Sequence, residues 1–257
     1  MSAEDRVGGG KPRLVGARGR AIGILGLAVL IGVGSRVPVF PQPGGGWISL
    51  IIPLAAAAPL ALGPVGGTAA AAAGGVLGMF LTPAAFPLGS LDVLVTAISP
   101  AVMVALAASA DPHWRIAGIV YTAIAALGFL FPFHVPGEAA GFGRPPEPLH
   151  FILCAMYWFI PLMAVFTSSG RTIVSRWVRC GQRRRKYPGV FMCILAGLFM
   201  WWITWTLPYW YLFHYSAALG MATLIRYSWW IPALAAVTTA LAIPVLELFP
   251  YGRAVRR

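Results

Sequence analysis

Long apolar runs, separated by short gaps that hold nearly all of the charged residues, dominate this chain. Hydrophobic residues make up 59% of its 257 residues and Asp, Glu, Lys and Arg only 10%, whereas a soluble domain carries about 25% charged residues. So few polar side chains cannot cover a water-soluble globule of this size. The pattern therefore indicates an integral membrane protein and excludes a soluble domain.

The apolar runs predict the number of membrane spans, because a helix needs about 20 apolar residues to cross the hydrocarbon core. We predict an all-α, polytopic transmembrane helical bundle with eight spans, at 21–39, 47–63, 65–86, 91–109, 115–133, 149–167, 190–213 and 228–249. Only Gly63-Pro64-Val65 separates the second run from the third, and both are rich in Ala and Gly. The alternative is six spans plus a short buried or re-entrant hairpin, which leaves the side of every later connector unchanged.

The basic residues occupy alternate gaps, and this alternation predicts the orientation, because cytoplasmic connectors carry the excess of Lys and Arg. With the N-terminus inside, only Arg36, Arg144 and Arg226 of the 19 Lys and Arg residues fall on the outer side. We therefore predict a multi-pass cell-membrane protein with both termini in the cytoplasm. Its parts are a basic tail at 1–20, one transmembrane domain at 21–249 with a basic cytoplasmic loop at 168–189, and a basic tail at 250–257.

The net charge of +12 follows from this topology, so the lipid bilayer and not nucleic acid is the expected partner. The loop at 168–189 has two readings, attraction to anionic lipid headgroups or docking of a cytoplasmic partner. Within it, 171–179 is predicted to form a short amphipathic helix on the membrane, with Ile173, Val174, Trp177 and Val178 as its apolar residues.

The few ionisable residues near the membrane concentrate at the outer ends of the predicted spans, where such groups are candidates for function. Aromatic residues of the seventh span are further candidates, because the deeper ones could stack on a flat or cationic ligand. Core packing is the favoured alternative for these, and an interfacial aromatic belt explains those near the outer boundary. The candidate solute-binding residues are Arg36, Asp92, His134, His150, Trp205, Trp210 and Arg226.

The fifth connector offers a candidate metal site at His134, Glu138, Glu147 and His150. Histidines and carboxylates are ligands for divalent metals, although this spacing matches no recognised metal signature. The phosphate-binding loop G-x-x-x-x-G-K-[ST] and the hydrolase motifs G-x-S-x-G and H-E-x-x-H are missing, and the 3 cysteines make no disulfide framework. We assign no catalytic residue and no cofactor.

The N-terminal part, over about 21–110, resembles the substrate-binding S components of energy-coupling-factor vitamin transporters. The resemblance rests on a first span rich in small residues, on Leu60-Ala-Leu-Gly-Pro64, and on the passage from Val65-Gly-Gly-Thr-Ala to Gly74-Gly-Val-Leu-Gly78. The family's alanine-x-x-x-alanine motif in the first helix is replaced here by Ala28-x-x-x-Gly32. The resemblance implies capture of a small solute or vitamin from outside, with a separate transmembrane coupling subunit and separate ATPases as partners.

The preferred hypothesis is therefore an integral membrane transport component that binds a small solute from the outer side. The first alternative is a metal-dependent membrane enzyme that uses the His and Glu residues at the outer face. The second is a structural or accessory subunit of a membrane complex.

Overall fold

The computed structural model describes residues 17–41, 47–109, 167–212 and 217–248, together with the single positions 116 and 123. By length and composition alone, four helical segments within these ranges could cross a membrane: Ile51–Leu81, which is interrupted at Gly63, and Ser90–Ala108, Arg183–Trp205 and Trp229–Glu247. The predicted helical character is thereby confirmed, and the apolar helices are compatible with a membrane protein. The predicted spans at 115–133 and 149–167 lie almost wholly outside the described residues, so the count of eight stays a prediction.

The described elements are six helices, a three-residue 3₁₀ helix at Pro83–Ala85 and one two-stranded ribbon. The six helices and the two strands are α1 (Ala17–Gly34), β1 (Pro38–Pro41), β2 (Trp47–Ser49), α2 (Ile51–Leu81), α3 (Ser90–Ala108), α4 (Ser168–Val178), α5 (Arg183–Leu212) and α6 (Ala217–Leu248). Helix α3 contains a π-helical turn at Leu94–Ile98.

The ribbon shortens the first two predicted spans. Helix α1 ends at Gly34, five residues before the predicted boundary at 39, and β1 pairs antiparallel with β2, with Pro38 opposite Ser49. Pro38 and Pro41 have no amide hydrogen to donate and restrict the residues before them to extended backbone, so the helix cannot continue through them. Val39 and Phe40 between them are residue types that favour strands.

Helix α2 is an antiparallel hairpin. Its backbone leaves the helical region at Gly63, with φ 79° and ψ 171°, a conformation open essentially only to glycine. Positions 51 and 78 of a straight helix would be about 40 Å apart, yet a Cβ on Gly78 would lie 3.1 Å from the Ile51 side chain. The chain therefore reverses at Gly63, and the two arms pack side by side.

The arms have unequal lengths, which bears on the predicted topology. Residues 51–62 extend about 18 Å and residues 64–81 about 27 Å, against a hydrocarbon core of about 30 Å. The first arm is too short to cross the core by itself. The geometry therefore agrees with the alternative of a hairpin at this position, and both open ends of the hairpin lie at the same end of the bundle.

Small residues allow α1 and α3 to pack closely on the second arm of the hairpin. A Cβ on Gly74 would stand 2.6 Å from the Ile31 side chain of α1, and one on Gly75 would stand 2.8 Å from Val93 of α3. Close approach of helix backbones at small residues is a main source of helix association in membranes. The Gly- and Ala-rich runs therefore serve packing within the chain.

The bundle has two chemically different ends. At the ribbon end, the Phe40 ring packs on Trp229 and Trp230, with ring centroids 6.2 and 4.5 Å apart. At the basic end, Arg179 donates to the Ala108 carbonyl at 3.3 Å and Arg183 pairs with Glu247 at 2.6 Å. Helices α3 and α6 thus run from the ribbon end to the basic end and α5 runs back. The separation of a ribbon end from a basic end agrees with the prediction that basic residues lie in alternate connectors. Which of the two ends faces the cytoplasm stays a prediction.

Candidate functional site

Arg36 links α1 to the end of the α2 hairpin. Its guanidinium is exposed, and Nε and Nη2 donate to the Leu81 carbonyl oxygen at 3.4 and 3.1 Å. The neighbouring Ser35 hydroxyl donates to the Gly32 carbonyl at 2.7 Å and lies 3.0 Å from Thr82 Oγ1. A cation at the last carbonyls of a helix is a favourable cap. The described bonds of Arg36 therefore give it a structural role.

Asp92 lies in the first turn of α3 and is completely buried. The Leu88 amide donates to its Oδ2 at 2.6 Å, and the Thr96 hydroxyl donates to its backbone carbonyl. A carboxylate in the first helical turn that reaches back to a preceding amide satisfies one of the donors that a helix start leaves unpaired. The described bonds thus explain Asp92 as a capping residue, directly before the π-helical turn that begins at Leu94.

Trp205 belongs to a buried aromatic cluster on α5. Its ring centroid lies 6.0 Å from that of Trp201 and 6.3 Å from that of Trp202. Next to the cluster, the Thr204 and Ser99 hydroxyls are 3.2 Å apart and join α5 to α3. These contacts agree with core packing, the alternative that the sequence left open for Trp205.

The other candidate residues are described in part or not at all. Trp210 and Arg226 lie within α5 and α6, but their side chains are outside the described residues, as are His134, Glu138, Glu147 and His150 altogether. The metal prediction is therefore untested. Among the described residues no group of three or more His, Cys, Asp and Glu side chains could hold a metal ion. The described contacts of Arg36, Asp92 and Trp205 do not join these three into one pocket.

A different site appears between α1, the first arm of the α2 hairpin and α6. It is a groove with a volume of about 180 Å³. The described residues that line it are apolar except for Thr238, and are Leu27, Leu30, Leu50, Pro53, Leu54, Ala57, Ala58, Ala61, Thr238, Leu241, Ala242, Val245 and Leu246. Leu30 and Leu241 are 53% and 67% exposed, so the groove is open at the surface of the described bundle.

The residue types explain why a groove forms here. The first arm presents Ala57, Ala58 and Ala61 toward the longer side chains of α1 and α6, and alanine leaves unfilled the volume that a leucine would occupy. An apolar cavity of about 150 Å³ is large enough for benzene. The groove therefore has room for one ring or a short hydrocarbon segment, which it would hold by burial of apolar surface.

The sequence predicted neither the groove nor its residues. The one visible signal is the alanine run at 55–58, followed by Ala61 after Pro59 and Leu60, which marks a helix face with little side-chain volume. Because the groove also needs α1 and α6, its position depends on packing between distant segments. No titratable side chain is found among the described residues that line it.

Comparison with known proteins adds no relative: no protein-family model, no curated protein and no solved structure matches this chain.

Proposed function

We propose that this protein is an integral membrane transport component that binds a small solute through an apolar part of that solute, and that the groove holds this part. One observation carries the proposal: the short arm of a broken helix forms a wall of the apolar groove, together with α1 and α6. Helices interrupted within the membrane line the solute sites of many transporters. The hairpin at Gly63 is such an interruption.

The lining decides the chemical class of the bound group. Among the described residues that line the groove, a charged group would lose its hydration and find only Thr238 as a polar side chain, which is unfavourable. An apolar group gains about 25 cal/mol for each Å² that it buries. The solute therefore has an apolar ring or chain of a size that fits about 180 Å³.

The outer residues predicted from the sequence would contact the polar part of the solute, and here His134, His150, Trp210 and Arg226 are the candidates. The hydrogen bonds of Arg36 and Asp92 to backbone groups favour a structural role for these two. The resemblance of 21–110 to S components of energy-coupling-factor transporters supports the transport class. A transmembrane coupling subunit and separate ATPases would then supply the energy.

The test is thermal unfolding of the purified protein with biotin, lipoate, riboflavin and thiamine, each of which has a ring with apolar surface, and with glucose, whose ring carries hydroxyl groups, as a polar reference. Ala61→Phe fills the groove, while Ala73→Phe adds the same side chain at an exposed position of the second arm. We expect at least one of these four solutes, but not glucose, to raise the Tm of the wild type and of Ala73→Phe but not of Ala61→Phe.

Two results would contradict the proposal. If none of the solutes raises the Tm and a stable protein partner co-purifies, the result favours the accessory-subunit alternative over a transport component. If Ala61→Phe keeps the full rise in Tm, the solute binds elsewhere. Stoichiometric metal in the purified protein would instead favour the enzyme alternative at His134, Glu138, Glu147 and His150.

A further inference from the structure

The basic end of the bundle carries a helical hairpin, here called the basic hairpin, which comprises residues 168–187. It consists of α4, a tight turn at 179–182 and the first turn of α5. Thr167 caps α4 by accepting a hydrogen bond from the Gly170 amide at 3.0 Å. With 11 residues, α4 extends only about 16 Å, so it cannot cross the membrane.

Three contacts fix the basic hairpin to the spanning helices. Gly189 of α5 lies against Trp177 of α4, where a Cβ on the glycine would stand 2.8 Å from the Trp177 Cβ. Arg179 donates to the last turn of α3, at the Ala108 carbonyl. Arg183 makes two hydrogen bonds with the Glu247 carboxylate of α6, at 2.9 and 2.6 Å. The basic hairpin is thus held where three spanning helices leave the apolar core.

The cations that do not serve these contacts point to a ligand outside the chain. Arg176, Arg184 and Arg185 are exposed, and so are the apolar side chain of Ile173 (43%) and the ring of Tyr187 (41%). Basic groups beside exposed apolar and aromatic ones are typical of a helix that lies in the interface of a membrane. There the headgroups meet the charges, and the acyl boundary covers the apolar side chains.

We propose that the basic hairpin binds anionic phospholipid headgroups of the bilayer that surrounds the protein. Its position favours lipid over a soluble acidic partner, because the fixed ends of α3, α5 and α6 hold it at headgroup level. Ile173 and Tyr187 are then covered by the same lipids, whereas an acidic protein surface would leave them without apolar contacts. Arg176, Arg184 and Arg185 contact the phosphates.

The expected gain in affinity for anionic lipid follows from the number of cations in the basic hairpin. Each Lys or Arg near an anionic membrane surface strengthens binding about fivefold, so three together contribute on the order of a hundredfold. The attraction weakens with salt, because the screening length falls from about 10 Å at 0.1 M to about 3 Å at 1 M.

The experiment measures the Tm of the purified full-length protein in neutral detergent during titration with dioleoylphosphatidylglycerol or with dioleoylphosphatidylcholine. The test variant is Arg176→Gln/Arg184→Gln/Arg185→Gln, and the charge-matched control is Arg253→Gln/Arg256→Gln/Arg257→Gln in the C-terminal tail. We expect phosphatidylglycerol to raise the Tm at a half-saturating concentration about a hundredfold lower for the wild type and the control than for the test variant.

A second variant keeps the test decisive if the glutamine variant fails to fold. Arg176→Lys/Arg184→Lys/Arg185→Lys retains the charge, and its response to phosphatidylglycerol should resemble that of the wild type and disappear at 1 M salt. An equal response to both lipids, or an equal loss in the tail control, would overturn the proposal. So would binding of soluble polyglutamate without a response to phosphatidylglycerol, which would indicate an acidic protein partner.

Discussion

The backbone of Pro59 lies so close to Gly67 that a Cβ on Gly67 would stand 2.3 Å from the Pro59 Cα. The two residues belong to opposite arms of the α2 hairpin, four residues before and after the reversal at Gly63. No side chain fits between them, and backbone atoms cannot move aside as the end of a flexible side chain can. The hairpin therefore depends on the absence of a side chain at position 67.

Gly67→Ala should separate the two arms and destabilise the protein by about 3 kcal/mol, the upper part of the range for overpacked cores. Gly66→Ala is the matched control, because its Cβ would lie 3.4 Å from the Leu62 Cβ in ordinary contact and alanine favours helix over glycine by about 1 kcal/mol. Unfolding in mixed micelles with a denaturing detergent measures both. Equal effects of the two substitutions would argue against the hairpin.

Asp92→Ala should lower stability by about 1 kcal/mol, the usual cost of losing a capping side chain, because the Leu88 amide loses its acceptor. Asp92→Asn should be much milder, because the amide oxygen of asparagine can accept the same hydrogen bond. The Tm of each variant, measured by thermal unfolding and compared with that of the wild type, tests this difference. If asparagine is as damaging as alanine, the negative charge of Asp92 has a role beyond the cap.

Gly189→Ala should detach α4 from α5, because its Cβ would stand 2.8 Å from both the Trp177 Cβ and the Val178 amide nitrogen. Gly181→Ala is the control, since nothing lies within 4 Å of its Cβ. Limited trypsin digestion measures the change, and cleavage near Arg176 and Arg179 should be much faster in Gly189→Ala. Identical digestion of the two variants would show that the contact is dispensable.

The predicted orientation can be tested with the native thiol of Cys180 at the basic end, which is partly exposed, in a chain that also carries Cys154→Ser and Cys193→Ala. A membrane-impermeant maleimide should label Cys180 only after the cells are permeabilised. Val37→Cys in a chain without Cys180 should be labelled from outside, because Val37 lies at the ribbon end and is 44% exposed. The reverse labelling would contradict a cytoplasmic basic end.

The sequence predicted the features of this fold that depend on local composition. Apolar length placed the last span at 228–249, which matches the end of α6 at Leu248 but begins 11 residues after its start at Ala217. The helix predicted at 171–179 is found at Ser168–Val178, but its Val174 is buried in the core and does not face the membrane. The early end of α1 follows from Pro38, which is a local signal for the end of a helix. The prediction missed it because the apolar run continues past the proline to residue 39. For the pair at 47–86, Gly63-Pro64 marked the break, but only the contact between Gly67 and Pro59 shows that the chain reverses there.

The candidate site was harder to predict, because it depends on contacts between distant segments. Charge near a span boundary identified Arg36 and Asp92, yet their partners are the Leu81 carbonyl and the Leu88 amide, which are available only because helices end or begin there. The groove has no signature in any one segment. Its alanines become a cavity wall only when Leu241 and Leu246 of α6 stand opposite them.

The groove also has a consequence for how the protein is made. Its walls come from α1, from the first arm of the hairpin and from α6, which the ribosome synthesises early and late in the chain. Until α6 has been inserted, Ala57, Ala58 and Ala61 have no opposite wall, and a nascent chain cannot retain a ligand there. On the proposed function, the groove would bind its solute only late in biogenesis, and a bound solute would selectively protect completed chains from membrane proteases.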